Sequence, residues 1–180
     1  MLSAPSEAEL ELAGARLGEA LLEHGWKLAT AESSTGGLIG HVITLVPGAS
    51  RYYVGGVISY STRLKETLAG VDSGVLATSG PVAGRTTAEM ATGVARRCTA
   101  DWGVATTGVA GPEPQDGHPV GEVYVAAAHP ASDRVEVRGL RLTGDRPAIR
   151  EAAAAQALDL LATCLDLEGT DPGVRPAEPT

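Results

Sequence analysis

The stretch Ala31-Glu32-Ser33-Ser34-Thr35-Gly36-Gly37 joins two apolar segments and is the most informative part of the chain. Residues 26–30 before it predict a buried strand, and residues 36–45 predict a helix. Glycines let a backbone approach a ligand closely, and the first N–H groups of a helix suit an anion. Three adjacent hydroxyls at positions 33–35 are candidate nucleophiles. A turn that only caps a helix has the same composition, so both interpretations stay open on this pattern alone.

Three further polar or glycine-rich clusters lie at the ends of predicted elements. Residues 59–65 and 107–112 each follow a predicted strand, and Gly144-Asp145-Arg146 begins a long helix rich in Ala and Leu. In an open α/β sheet, ligands bind where strands end in loops. We therefore predict that the clusters at the three strand ends converge on one site.

The pattern of apolar residues and turns predicts a single three-layer α/β/α domain over residues 1–168. Its sheet is expected to be mixed and mostly parallel, with a late β-hairpin. Predicted helices cover residues 7–24, 36–45, 62–68, 81–97 and 145–167, and predicted strands cover 26–30, 53–60, 101–107, 120–129 and 134–142. A capping box, Ser6 with Glu9, begins the first helix. The proline-rich residues 169–180 predict a disordered tail.

Charge and cysteine content argue against several classes of function. A formal net charge of -8 and the absence of a basic run argue against nucleic-acid binding. Cys98 and Cys164 lie far apart without a CxxC motif, which is typical of reduced thiols in a cytoplasmic protein. Four scattered histidines predict no metal site. We expect neither a signal peptide nor a membrane span.

A serine that attacks an amide needs a base. The chain has no GxSxG motif and no recognisable Ser-His-Asp pattern, and His41 is predicted to point away from the turn. A lysine is the remaining candidate, since Ser-Lys pairs are a known variant of the catalytic triad. Lowering a lysine pKa from about 10.4 to about 7 costs about 4.6 kcal/mol, which burial or a neighbouring cation such as Arg146 supplies. By composition alone, Lys65 is more often an exposed lysine, and Tyr60 more often an anchor at a strand end.

Five motifs then occur in a fixed order: AESSTGG, GGVISYSTRLK, the Gly80-Pro81 pair, TTGVAGP and HPVGEVYVA. Together they resemble the CinA C-terminal domain family of PncC-type nicotinamide mononucleotide (NMN) deamidases, over about residues 9–165. The resemblance implies an amidohydrolase that converts NMN to nicotinic acid mononucleotide and ammonia in pyridine nucleotide recycling. It also implies that the enzyme uses no metal and no redox cofactor.

The resemblance assigns roles to individual residues. In similar proteins the first serine of AES and the lysine of the second motif form the catalytic pair, which are Ser33 and Lys65 here, with Tyr60 relaying or orienting the proton. Ser33 is favoured over Ser34 because the family often has cysteine at the latter position. The turn N–H groups of residues 35–37 are expected to hold the oxyanion, and the 107–112 turn with Arg146 the ribose phosphate. The expected substrate-binding residues are Glu32, Ser34, Thr35, Gly36, Gly37, Ser61, Thr107, Gly108, Ala110, Gly111 and Arg146.

Two positions depart from the family pattern. The family usually has asparagine in place of Thr62 and lysine in place of His118, so an altered substrate preference is one expectation. The alternatives are a non-catalytic module that binds a nucleotide or a partner, an amidase for another substrate, and a structural role in a competence assembly. A homodimer is plausible, although no residue specifies one.

Overall fold

Five strands form one mixed sheet, with helices on both faces. A computed structural model describes residues 5–168 of the 180. The helices are α1 (Glu7–His24), α2 (Leu38–Leu45), α3 (Thr62–Thr67), α4 (Ser73–Ser79), α5 (Gly84–Cys98) and α6 (Arg146–Glu168). The strands are β1 (Leu28–Glu32), β2 (Tyr53–Ile58), β3 (Trp102–Gly108), β4 (Glu122–His129) and β5 (Arg134–Arg141).

The strand order is β2-β1-β3-β4-β5. Strand β1 pairs in parallel with β2 and β3, whereas β3 with β4 and β4 with β5 are antiparallel. The predicted α/β fold with a mixed sheet and a late β-hairpin is confirmed, and parallel pairing is confined to the three strands β1, β2 and β3. Their carboxyl ends consequently share one edge of the sheet.

An apolar layer packs on each face of the sheet, so its central strands are buried on both faces. Leu28 and Val104 belong to the larger layer, which packs against α1, α2 and α6. Ala29 and Ala105, their neighbours along the strands, belong to the second layer under α5. This arrangement gives the three predicted layers, α/β/α.

The first helix starts and ends as its sequence predicts. The Ser6 hydroxyl accepts the Glu9 N–H, and the Glu9 carboxylate accepts the Ser6 N–H, so both halves of the capping box are present. Gly25 ends the helix with a φ of 70°, a left-handed conformation that glycine adopts without strain.

Strand β2 differs from its prediction as a buried strand broken by Gly55-Gly56. It is unbroken and lies at the edge of the sheet, where Val54 and Ile58 are about half exposed. Glycine is needed at position 56 because the Thr30 side chain on β1 packs against it: a Cβ there would lie 2.1 Å from the Thr30 hydroxyl.

Two helices in the middle of the chain also differ from prediction. Helix α5 begins at Gly84, so residues 81–83, which were predicted as its first turn, lie outside the helix. Helix α4 was not predicted, although its N-cap residue Asp72 accepts the N–H groups of Gly74 and Val75. Short helices such as α4 depend on tertiary packing more than on propensity, which explains the miss.

Within residues 5–168, no helix has both the length and the apolar character needed to cross a bilayer. The predicted disordered tail, residues 169–180, lies outside the described part of the chain, as do residues 1–4.

Candidate active site

The three strand-end clusters meet at the carboxyl edge of the parallel strands, as predicted. The Ser33 N–H, just after β1, donates to the Thr106 carbonyl in β3 at 3.1 Å. The Ser59 N–H, just after β2, donates to the Glu32 carbonyl at 2.8 Å. Continued pairing beyond the strand ends therefore holds the loops together at this edge.

Ser33 and Lys65 form a buried pair at the centre of this edge. The Lys65 Nζ lies 2.8 Å from the Ser33 Oγ and donates to the Ser59 carbonyl at 3.0 Å. Lys65 is only 2% exposed, although it lies on the short helix α3. This distance suits proton transfer between the hydroxyl and a neutral amine.

Burial lowers the pKa of Lys65 to about 8, because desolvation disfavours the charged amine. Arg146, the candidate cation from the sequence, is not the cause of the shift. A pKa near 8 leaves about a tenth of the amine neutral at pH 7. Lys65 therefore has the properties required of a general base, unlike the exposed lysine that composition alone favours.

A pocket opens beside the pair. It encloses about 540 Å³, including space open to solvent. Residues of the predicted site that line it are Ser33, Ser34, Tyr60, Lys65, Thr107, Gly108, Ala110, Gly111 and Arg146. The other lining residues are Thr62, Pro81, Val82, Val109, Glu113 and Gln115.

Arg146 joins two of the loops at the pocket mouth. Its guanidinium donates to the Gly111 carbonyl and, at 2.9 Å, to the Tyr60 hydroxyl. Tyr60 is 60% exposed, and within residues 5–168 no hydrogen bond links its hydroxyl to Ser33 or Lys65. The geometry therefore gives Tyr60 no relay contact with the pair and connects it to Arg146 instead.

Five predicted substrate-binding residues do not line the pocket: Glu32, Thr35, Gly36, Gly37 and Ser61. The Thr35 hydroxyl is bonded to the Thr106 hydroxyl at 2.8 Å, and the Gly36 N–H donates to the Ser33 carbonyl at 3.1 Å. The Glu32 carboxylate accepts the Gly37 N–H at 2.9 Å and two more from α2. The N–H groups of Gly36 and Gly37, expected to hold an oxyanion, are thus already bonded within the protein.

One backbone donor beside Ser33 is a candidate for an oxyanion instead. Within the described residues, the N–H group of Ser34, which lines the pocket, has no hydrogen-bond acceptor. The N–H group of Thr35 also lacks one there, but Thr35 is fully buried and does not line the pocket. The Ser34 hydroxyl is also buried without a partner within the described residues. An unpaired N–H group that directly follows a nucleophile is suited to an oxyanion hole.

Several residues contribute to the site in ways that the sequence did not predict. Ser59 anchors Lys65 through its carbonyl, a contact that no side-chain pattern reveals. The Thr107 hydroxyl donates to the Pro81 carbonyl at 2.9 Å, which brings Pro81 to the pocket. Arg150, one helical turn beyond Arg146, donates to the Thr35 carbonyl at 2.7 Å. The four-residue spacing in α6 was the available signal for Arg150.

His118 does not line the pocket. Its Nδ1 lies 3.3 Å from the Glu122 carboxylate, which also accepts the Tyr124 hydroxyl at 2.9 Å. Thr62, the other departure from the family pattern, does line it. In residues 5–168, no group of three His, Cys, Asp or Glu side chains is arranged to hold a metal.

Comparison with known proteins identifies the family of this chain. The model of the CinA C-terminal domain family matches residues 11–165. A CinA-like protein of Frankia casuarinae is 49% identical over 154 residues, covering 86% of this chain and 35% of that protein. A putative competence-damage inducible protein of Desulforamulus reducens is 44% identical over 144 residues, covering 80% of this chain and 34% of that protein. The chain thus spans about a third of the length of these relatives.

Solved structures of similar proteins have the same fold. A CinA superfamily protein from Klebsiella pneumoniae matches with a TM-score of 0.83 and 31% identity, covering 88% of this chain and 98% of that one. The competence/damage inducible protein CihA from Agrobacterium tumefaciens matches with a TM-score of 0.83 and 32% identity, covering 92% of this chain and 99% of that one.

Proposed function

Because the chain belongs to the CinA C-terminal domain family, we propose that it is an amidohydrolase that converts NMN to nicotinic acid mononucleotide and ammonia. The observation that carries the proposal is the distance of 2.8 Å between the Lys65 Nζ and the Ser33 Oγ in a polar pocket. A buried lysine with a pKa of about 8 beside a serine hydroxyl is suited to acyl transfer.

The proposed reaction starts with neutral Lys65. Lys65 accepts the hydroxyl proton of Ser33 while the Ser33 Oγ bonds to the carboxamide carbon. The oxyanion accepts the N–H group of Ser34. The C–N bond then breaks, and Lys65 gives its proton to the nitrogen, which leaves as ammonia.

The second half of the proposed reaction regenerates the enzyme. Water attacks the ester carbon on Ser33, and Lys65 accepts a proton from that water. The ester bond to Ser33 breaks, Lys65 returns the proton to the Ser33 Oγ, and the product leaves as a carboxylic acid. The Ser59 carbonyl keeps the amine in place during these transfers.

Arg146 supports the choice of a nucleotide substrate. It is a cation at the mouth of a pocket whose other lining groups are mostly polar, and guanidinium groups bind phosphate well. We assign the phosphate of NMN to Arg146 and the ribose to the loop of residues 107–111. Thr62 lines the same pocket and is the departure that affects substrate preference, whereas His118 pairs with Glu122.

The remaining expectations belong to the same proposal. The protein is expected in the cytoplasm, where Cys98 and Cys164 stay reduced. It is expected to act without a cofactor, and a homodimer remains a prediction.

Product analysis tests the proposed function. The purified protein is expected to release ammonia and nicotinic acid mononucleotide from NMN in equal amounts, whereas Ser33→Ala and Lys65→Met release neither. Ser50→Ala and Lys27→Met replace exposed residues of the same types and serve as matched controls. Release by the Ser33→Ala variant would overturn the assigned nucleophile. Absence of release by the parent, with NMN still raising its melting temperature, would favour a nucleotide-binding module.

A further inference from the structure

The Glu32 side chain is a buried carboxylate that the proposed reaction does not use. It is 2% exposed, although acidic side chains are seldom buried without partners. Its Oε2 accepts the N–H groups of Gly37 at 2.9 Å and Ile39 at 3.0 Å, and its Oε1 accepts that of Gly40 at 2.9 Å. Three backbone donors compensate the buried charge, and no ion pair with Glu32 occurs within residues 5–168.

Helix α2 depends on this carboxylate for its N-terminal cap. The N-cap residue is Gly37, which has a φ of 97° and no side chain to accept the first N–H groups. The carboxylate arrives from β1, five residues upstream, and occupies the positive end of the helix. Hydrogen bonds to an ionised group are stronger than neutral ones, so this contact fixes the helix start firmly.

The backbone of Glu32 belongs to the same local network as the reacting pair. Its carbonyl accepts the Ser59 N–H at 2.8 Å, and the Ser59 carbonyl accepts the Lys65 Nζ at 3.0 Å. Lys65 in turn contacts Ser33, which follows Glu32 in the chain. The two ends of the 33–37 turn are therefore held by one residue, at its backbone and at its carboxylate.

We infer that Glu32 is a positioning residue, whose carboxylate fixes the 33–37 turn so that the Ser33 Oγ faces Lys65 and the Ser34 N–H group faces the oxyanion. The inference replaces the substrate-binding role expected from the sequence, and it rests on the proposed function for the reaction it serves. A displacement of about 1 Å in reacting groups can cost about 10²-fold in rate.

Two substitutions test the inference. Glu32→Gln keeps the size but turns one oxygen into an amide donor, which then faces a backbone N–H. Glu32→Asp keeps the charge and shortens the reach. We expect both to lower kcat by about 10- to 100-fold with KM for NMN within about twofold, because the substrate contacts remain while the reacting geometry loosens.

Asp72→Ala is the matched control. Asp72 is another carboxylate that accepts two N–H groups at a helix start, in α4 and outside the pocket. Its removal is expected to lower the melting temperature without changing kcat. Equal losses of kcat in Asp72→Ala and the Glu32 variants would assign Glu32 a merely structural role and overturn the inference.

A second readout is independent of the natural substrate. Phenylmethanesulfonyl fluoride modifies an activated serine: the Ser33 Oγ bonds to sulfur, fluoride leaves, and the hydroxyl proton passes to Lys65. The rate of this modification, followed by intact-protein mass spectrometry, is expected to fall at least tenfold in Glu32→Gln and not in Asp72→Ala.

The two readouts separate the two claims. Modification of Glu32→Gln at the parent rate, or no modification of the parent at Ser33, overturns the positioning role whatever the activity toward NMN. If the reagent modifies the Glu32 variants more slowly than the parent, and the parent does not hydrolyse NMN, the positioning role is supported and the proposed substrate is overturned.

Discussion

Lys65→Met removes a buried charge and should change how stability depends on pH. The pKa of Lys65 is lowered from 10.5 to about 8 by burial, and at 1.36 kcal/mol per unit this corresponds to about 3 kcal/mol. Below about pH 8 both the folded and the unfolded protein carry the proton, so the folded state bears the full cost. Between about pH 8 and 10.5 only the unfolded state binds it, so this cost falls as pH rises.

Chemical denaturation at about pH 7 and about pH 10 measures the effect, since about 2 to 3 kcal/mol of the cost of burying the charge is relieved between these two pH values. The free energy of unfolding of the parent should rise by that amount relative to Lys65→Met. Taking the difference between the two proteins cancels groups that titrate in both. A constant difference between the parent and Lys65→Met over this pH range would refute the burial argument.

Three further outcomes follow from the site. The kcat/KM for NMN should rise with pH through a midpoint near 8, since only neutral Lys65 accepts the Ser33 proton; a rate independent of pH between about 6 and 9 would contradict this. Ser34→Ala should raise the free energy of unfolding by about 1 kcal/mol in a urea titration, because it removes a buried hydroxyl that has no hydrogen-bond partner within the described residues. A decrease of that size would contradict this and show that the hydroxyl has a partner. Arg146→Gln should raise KM for NMN about tenfold and leave KM for the corresponding riboside, which lacks the phosphate, unchanged. An equal rise in KM for both substrates would exclude a phosphate contact.

Local patterns predicted the fold and the position of the site. The capping box of α1, the alternation of strands and helices, and the turns after β1, β2 and β3 all follow from short-range chemistry. Parallel pairing then brings those turns to one edge. The Ser33-Lys65 pair itself came from the family resemblance, because spacing of 32 residues in sequence does not encode a contact.

The errors concern contacts that only packing decides. The sequence offers Gly36 and Gly37 as anion donors, but the fold directs the Glu32 carboxylate onto the start of α2. Likewise, β2 has the composition of a buried strand, yet strand order leaves it at the edge. The local sequence is compatible with free or bonded N–H groups at Gly36 and Gly37, and with a central or an edge position for β2. Contacts with residues distant in sequence determine which arrangement forms.

The central claim is that Ser33 and Lys65 act as one catalytic unit on NMN. The most direct test is kcat/KM for NMN in Ser33→Ala, Lys65→Met and the double variant. Residues that act as a unit are non-additive, so the double variant should lose no more activity than either single variant. Losses that multiply in the double variant, or a single variant that keeps the parent rate, would contradict the claim.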